Sequence, residues 1–213
     1  MTSEAQIVSE TNGPICVLRI NNPQQRNALN ALMLEQLALE IEALAANPEI
    51  AVVIITGTAE MFASGAAINE LRELTRSSAL DFAQRGQRAF QSIADAGQLT
   101  IAAINGHCIG GGMDLALACD LRFASRTATF RHPGATLGII TGWGGTQRLP
   151  RLIGEAKTVE LFTTARTIDS REAHEIGLIT GVFDPVLDHA RRVGLEFAGR
   201  KQKVVGMRTW SQK

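Results

Sequence analysis

Residues 109–115 read Ile109-Gly110-Gly111-Gly112-Met113-Asp114-Leu115, between a strand-like apolar segment and a helix-like one. Glycine lets the backbone approach a ligand closely and adopt conformations that other residues resist. The first turn of a helix leaves N–H groups unpaired and carries partial positive charge. Asp114 follows Gly111 by about one helical turn and therefore faces the same way. The stretch predicts a backbone site for a polarised or anionic oxygen, with a carboxylate beside it.

The composition is that of an ordinary soluble globular protein, with 213 residues, 45% hydrophobic and 20% charged. This length predicts one domain with a real core. Lys+Arg and Asp+Glu both number 21, so no net charge favours nucleic acid or an anionic membrane as a partner. Residues 1–10 lack the apolar core of a secretory signal, and no apolar run is long enough to cross a bilayer. We therefore expect a cytoplasmic protein that binds neither membrane nor nucleic acid.

The three cysteines argue against a disulfide framework and against a metal site. Cys16, Cys108 and Cys119 are widely spaced and lie in apolar stretches. Their odd number and spacing indicate reduced, buried thiols. No cluster of His, Cys and carboxylate residues has the spacing of metal ligands, so we expect no bound metal.

Apolar patterning along the chain predicts alternating strands and helices. The predicted strands cover residues 15–20, 51–57, 101–104, 121–124, 129–130 and 178–183, and the predicted helices cover a segment capped by Asn30 and residues 68–94, 112–119, 149–161, 170–176 and 186–197. The β-branched run 51–57 is typical of a parallel strand buried on both faces. We expect one α/β domain over residues 1–198, followed by a short basic C-terminal tail over residues 199–213.

Four separated segments resemble one known family in residues, order and spacing. They are Arg26-Asn27-Ala28-Leu29-Asn30, Phe62-Ala63-Ser64-Gly65-Ala66, the glycine stretch extended to residues 105–115, and residues 137–149, which read Leu-Gly-Ile-Ile-Thr-Gly-Trp-Gly-Gly-Thr-Gln-Arg-Leu. The resemblance is to the crotonase family, also called the enoyl-CoA hydratase/isomerase family, and covers roughly residues 15–183.

The resemblance implies a crotonase-like spiral of ββα units with surrounding helices. It also implies an acyl-CoA thioester as substrate, no permanently bound cofactor, and assembly as a homotrimer or hexamer. In such proteins two backbone N–H groups hold the thioester oxygen as it gains enolate character, and the matching positions are Ala66 and Gly111. Asp114 matches the family's first catalytic carboxylate, one methylene shorter. Such preorganised donors are often the largest catalytic contribution.

The resemblance also suggests which residues contact the substrate. The loop 63–69 matches the family's CoA-binding stretch, although Ala67 stands where an acidic residue is common. Arg26 matches a basic residue near the phosphates, or it is a surface arginine in a turn. The candidate substrate-binding residues are Arg26, Ala28, Ala63, Ala66, Ala67, Ile68, Gly110, Gly111, His132, Gly134 and Trp143. Family members continue beyond the length of this chain, which implies either a shortened tail or a different assembly, with a more open pocket.

The sequence departs from the family at Gly134, where a hydratase has its second glutamate. Glycine offers neither acid nor base, which leaves hydration, isomerisation, decarboxylation and hydrolysis open. A non-catalytic acyl-CoA-binding protein is a further alternative.

Four other residues have two interpretations each. If its segment is extended, His132 shares a side with Gly134 and could reach the pocket, but the pattern favours a surface or internally satisfied histidine. His107 is expected to pack structurally rather than take part in catalysis, and Asp120 to accept hydrogen bonds from loop N–H groups rather than act as a catalytic acid. Trp143 either lines the acyl chamber or anchors packing.

Overall fold

Strands and helices alternate along the computed structural model, which describes residues 5–200. The strands are β1 (Gln6–Asn12), β2 (Ile15–Asn21), β3 (Ala28–Leu29), β4 (Val52–Thr56), β5 (Met61–Ala63), β6 (Gly65–Ala66), β7 (Leu99–Ile104), β8 (His107–Ile109), β9 (Leu121–Ala124), β10 (Thr129–Arg131), β11 (Ile168–Asp169) and β12 (Gly181–Val182). The helices are α1 (Ala31–Ala45), α2 (Ile68–Glu73), α3 (Arg76–Asp95), α4 (Gly111–Ala118), α5 (Gly134–Leu137), α6 (Gly145–Ile153), α7 (Glu155–Thr164), α8 (Ser170–Glu175) and α9 (Val186–Arg200).

A six-stranded sheet in the order β1-β2-β4-β7-β9-β12 forms the centre. Neighbouring strands in this sheet are parallel, except that β1 is antiparallel to β2. Along β4, Val53 and Ile55 belong to the apolar core on one face, and Val52 and Ile54 to the core on the other. The predicted burial of this strand on both faces is thereby confirmed.

Central strands are followed by a short strand of another sheet and then by a helix. The path β7-β8-α4 shows the unit most simply, and β2-β3-α1 and β9-β10-α5 repeat it. The short strands form a four-stranded sheet in the order β11-β10-β8-β5 and a pair β3-β6. This repeat confirms the expected spiral of ββα units.

Two predicted helices are each divided in two. The helix predicted over residues 68–94 breaks before Arg76, because the Thr75 side chain accepts a hydrogen bond from the Ser78 amide at 3.2 Å and caps a new helix. The helix predicted over residues 149–161 breaks at Gly154, whose φ of +80° lies in the left-handed region.

Three further boundaries differ from the prediction. The turn predicted before the glycine stretch contains β8, and the strand predicted over residues 178–183 is reduced to β12. The last helix continues to Arg200, and the remainder of the predicted tail lies outside the described residues. Strand β1 was not predicted, because only Ile7 of its seven residues is buried and its sequence lacks apolar alternation.

The three cysteines are free and buried, as predicted. Burial raises the pKa of Cys119 to about 12. No helix within residues 5–200 is both long enough and apolar enough to span a membrane.

Candidate active site

The glycine stretch forms a tight turn between β8 and α4. Gly110 adopts φ +53° and ψ −120°, and the helix starts at the next residue. The Gly110 amide donates to the Arg131 carbonyl at 2.9 Å, which fixes the turn against the end of β10. The amides of Gly111 and Gly112 begin the helix and therefore have no carbonyl one turn earlier to bind.

A second bend meets this turn directly. Gly65 has φ +90°, and a Cβ atom there would lie 2.7 Å from the Gly111 nitrogen. Only glycine allows this approach of two backbones. The Ala67 amide donates to the Leu29 carbonyl at 3.2 Å. Because amides alternate in direction along a strand, the Ala66 N–H points away from β3. The structure thus brings Ala66 and Gly111 to neighbouring positions.

Both residues line a cavity of about 630 Å³. This volume is within the range of small-molecule sites. Of the predicted site residues, the cavity is lined by Arg26, Ala28, Ala66, Ala67, Ile68, Gly110, Gly111, Asp114, His132, Gly134 and Trp143. Ala63 is the exception, because it is fully buried in β5 and packs against Gly112.

Asp114 is completely buried, and both of its carboxylate oxygens have partners. Oδ1 lies 3.3 Å from Nε2 of His132, and Oδ2 accepts a hydrogen bond from the Thr141 hydroxyl. Thr141 was not among the predicted site residues, because it lies 27 residues away in an irregular loop. The three side chains form a hydrogen-bonded group in the cavity wall, the Asp114 group, made of Asp114, His132 and Thr141.

His132 is buried and bonded through Nε2 to Asp114, so of the two expected alternatives the surface residue is wrong and the internal histidine agrees with the structure. Its ring is held by Asp114 on one side and meets the edge of Phe162 at a centroid distance of 4.9 Å and an angle of 80°. The ring also lines the cavity, although the segment is not extended as the prediction assumed, because Pro133 has ψ 6° and Gly134 begins α5.

The charge of Asp114 is surrounded by complementary groups. Asp114 lies in the first turn of α4, and a Cβ atom on Gly145, the first residue of α6, would lie 2.2 Å from Oδ1. Two helix N-termini therefore face the carboxylate, and their partial positive charge complements it. Burial lowers the pKa of Arg148 while Asp114 opposes that shift. Burial and the Asp114 charge together raise the pKa of the Cys108 thiol.

The other candidates occupy the following positions. Trp143 lines the cavity and also packs against Phe82 and Phe90, at centroid distances of 5.3 and 5.6 Å, so it anchors packing, and its contact with an acyl group stays a prediction. Arg26 is exposed and borders the cavity. The two residues outside the cavity have structural contacts: His107 pairs with Thr129 at 2.7 Å as expected, whereas Asp120 accepts at 2.8 Å from the amide of Thr100 in strand β7 and not from a loop amide.

Comparison with known proteins identifies the family. A family model described as enoyl-CoA hydratase/isomerase matches residues 10–209. The chain belongs to the enoyl-CoA hydratase/isomerase family. It is 39% identical over 180 residues to a crotonyl-CoA hydratase of Syntrophomonas wolfei, covering 84% of this chain and 69% of that one. It is 38% identical over 180 residues to a short-chain-enoyl-CoA hydratase of Clostridium acetobutylicum, with the same coverage of 84% and 69%.

Solved structures of the family share the fold. An enoyl-CoA hydratase from Bacillus anthracis superimposes with a TM-score of 0.87 at 33% identity, covering 90% of this chain and 76% of that one. The crotonase-like architecture is therefore shown by both sequence and structure. Within residues 5–200, no three or more His, Cys, Asp or Glu side chains are grouped so that they could hold a metal ion.

In this member of the hydratase/isomerase family, the surrounding loop leaves no room for a side chain at position 134. A Cβ atom on Gly134 would lie 2.5 Å from the carbonyl oxygen of Ile139. That carbonyl is held in place because the Ile139 amide donates to the Gly134 carbonyl at 3.0 Å. At the position where family hydratases have their second glutamate, this chain therefore has a glycine and a loop that fills the space of a side chain.

We expect Gly134→Ala to lower the free energy of unfolding by about 1–3 kcal/mol, the usual cost of forcing extra atoms into a packed site. Chemical denaturation followed by circular dichroism measures the change. Gly97→Ala is the matched control, since a Cβ there would meet nothing within 4 Å. A Gly134→Ala protein as stable as Gly97→Ala would contradict the closed position.

Proposed function

We propose that this protein processes acyl-CoA thioesters by stabilising a thioester enolate. The negatively charged oxygen binds between the N–H groups of Ala66 and Gly111, and the Asp114 group handles protons beside it. One observation carries the proposal: a buried carboxylate lies one helical turn from two converging backbone bends in the same cavity wall.

Energetics supports this use of the site. Preorganised donors aimed at developing negative charge act strongly in a site that excludes water, and removal of one such donor costs about 3–4 kcal/mol in well-studied enzymes. Phe82 and Trp143 give the cavity an apolar lining, which supports such interactions. Both proposed donors are main-chain groups, so they need no particular side chain.

Coenzyme A is the proposed carrier of the acyl group. Arg26 at the cavity border offers a cation for a phosphate, and the backbone from Ala66 to Asn69 borders the same cavity. The relatives named crotonyl-CoA hydratase and short-chain-enoyl-CoA hydratase favour a short enoyl ester. Hydration of crotonyl-CoA is therefore the first reaction to test.

The test combines turnover with binding. Purified protein is mixed with crotonyl-CoA, and loss of the enoyl thioester absorbance is followed while calorimetry measures the binding of butyryl-CoA. We expect both turnover and binding. Binding without loss of absorbance removes hydration from the proposal, and failure to bind any CoA ester contradicts it altogether.

Decarboxylation is the second candidate reaction, favoured by the closed position at Gly134. Loss of carbon dioxide from a β-carboxylated ester also generates an enolate but needs fewer proton-transfer groups. Release of carbon dioxide from malonyl-CoA distinguishes this reaction from hydration. Binding of esters without any turnover would instead leave the acyl-CoA-binding alternative.

Assembly as a homotrimer or hexamer is also proposed, on the family resemblance alone. Size-exclusion chromatography with light scattering measures the mass directly. A monomer at micromolar concentration would contradict this part of the proposal.

A further inference from the structure

The Asp114 carboxylate resembles an orienting group more than one that reacts alone. Thr141 occupies one oxygen and His132 the other, and no part of the side chain reaches solvent. A carboxylate can only accept hydrogen bonds, so the 3.3 Å contact with Oδ1 places a hydrogen on Nε2 of His132. With Nε2 protonated, Nδ1 of a neutral imidazole is a proton acceptor.

Nδ1 of His132 is available to a ligand. It has no hydrogen-bond partner among residues 5–200, and it is not one of their fully buried polar atoms. Since the residue itself is buried and lines the cavity, the cavity is the space that this nitrogen meets.

His132 also lies beside the proposed oxyanion donors. The preceding carbonyl, of Arg131, accepts the hydrogen bond from the Gly110 amide at 2.9 Å. The following residue, Pro133, lies 3.7 Å from where a Cβ of Gly110 would be. The residues on both sides of His132 therefore contact the glycine turn.

We propose that His132 is the catalytic residue that exchanges a proton with the substrate, and that Asp114 is the positioning residue that holds its ring. This assignment rests on the proposed function and specifies its proton transfer. It supplies an acid–base group in a wall where Gly134 provides none. A buried carboxylate that holds an imidazole, keeps its tautomer and stabilises the imidazolium is an established arrangement in hydrolases.

The proton transfer needs no reactant other than the thioester and, for hydration, water. Nδ1 takes the proton from the α-carbon of a thioester as the C–H bond breaks. The electron pair moves onto the thioester oxygen between the Ala66 and Gly111 amides, and the imidazolium is paired with Asp114. In hydration, Nδ1 takes a proton from water as the oxygen bonds to the β-carbon, and returns that proton to the α-carbon.

Proton exchange at the α-carbon of butyryl-CoA tests this assignment. The ester is saturated and cannot be hydrated, so deuterium uptake from heavy water, followed by NMR, reports proton transfer alone. We expect exchange in the unaltered protein and a fall by about 10²–10⁴ in His132→Gln, the usual contribution of a general base. Glutamine retains an N–H for Asp114 but cannot carry the proton. Butyryl-CoA should bind His132→Gln with a Kd within about threefold of the original, a change of well under 1.4 kcal/mol.

The variants also separate the two roles. We expect the double variant His132→Gln/Asp114→Asn to exchange no more slowly than the slower single variant, because groups that act as a unit are not additive. Exchange retained in His132→Gln but lost in His132→Ala would show that the ring only positions Asp114, which overturns this inference alone. No exchange in the unaltered protein, despite binding, would overturn the proposed enolate chemistry as well.

A labelling experiment on the unaltered protein avoids any effect of substitution on folding. With 2-bromobutyryl-CoA, Nδ1 forms a bond to the α-carbon as the C–Br bond breaks and bromide leaves. Peptide mass spectrometry is expected to find the adduct on His132. An adduct on Asp114, or on neither residue, would contradict the assignment.

Discussion

Asparagine in place of Asp114 is expected to lower kcat for the acyl-CoA substrate by about 10²–10⁴, with little change in ester binding. The amide cannot carry the negative charge that the cavity wall is built to hold. It also keeps only one accepting oxygen, so its N–H group faces either His132 or Thr141, which both donate to Asp114, and the hydrogen-bonded group must rearrange. Initial rates at saturating ester and calorimetric binding of butyryl-CoA measure the two effects separately.

Asp188→Asn is the matched control for the loss of one carboxylate. Asp188 is exposed on α9 and does not border the cavity. Its variant should retain the activity of the original protein. Full activity in Asp114→Asn, with the fold preserved, would remove Asp114 from the reaction whichever role His132 has.

Alanine in place of Trp143 is expected to lower the free energy of unfolding by about 3–5 kcal/mol, the usual cost of removing a buried large aromatic side chain. The indole is 3% exposed and fills the space between the aromatic rings of α3 and the start of α4. A Cβ atom on Gly111 would lie 2.5 Å from its ring, so the indole also supports the turn that presents the Gly111 amide. Chemical denaturation measures the stability.

Leu80→Ala controls for loss of an apolar side chain, because Leu80 lies on α3, the helix that Trp143 packs against. Leu80 is 63% exposed, so its truncation should cost less than about 0.5 kcal/mol, as is usual at the surface. Similar losses for Leu80→Ala and Trp143→Ala would show that the indole does not support the core. Trp143→Phe should fall between the original protein and Trp143→Ala, because a smaller ring leaves a smaller void.

The parts of the fold that local sequence specifies could be predicted. The run Val52–Thr56 marks a buried parallel strand, and the Asn30 side chain accepts from the Met33 amide at 2.8 Å as a helix cap should. Strand β1 could not be found this way, because its polar residues are held by pairing with β2 along a solvent-exposed edge. Strand β8 was hidden because three residues are too few for a periodic pattern.

The part of the candidate site that lies in one local motif could be predicted. The contacts between distant residues of the site could not. Gly110–Asp114 lie within one short motif, so their arrangement follows from the turn and the helix. The contacts of Asp114 with His132 and Thr141 join residues 18 and 27 positions apart. Such contacts depend on how β10 and the following loop pack against α4, which no local pattern records.

The closed position at Gly134 bears on how new activities could be built into this scaffold. A carboxylate added there by one substitution is expected to displace the Ile139 carbonyl, which lies in its path. The loop that carries Ile139 would have to change first, so the order of mutations matters and each change alone is expected to bring no benefit. Directed evolution toward a two-carboxylate enzyme should therefore randomise residues 134 and 138–142 together.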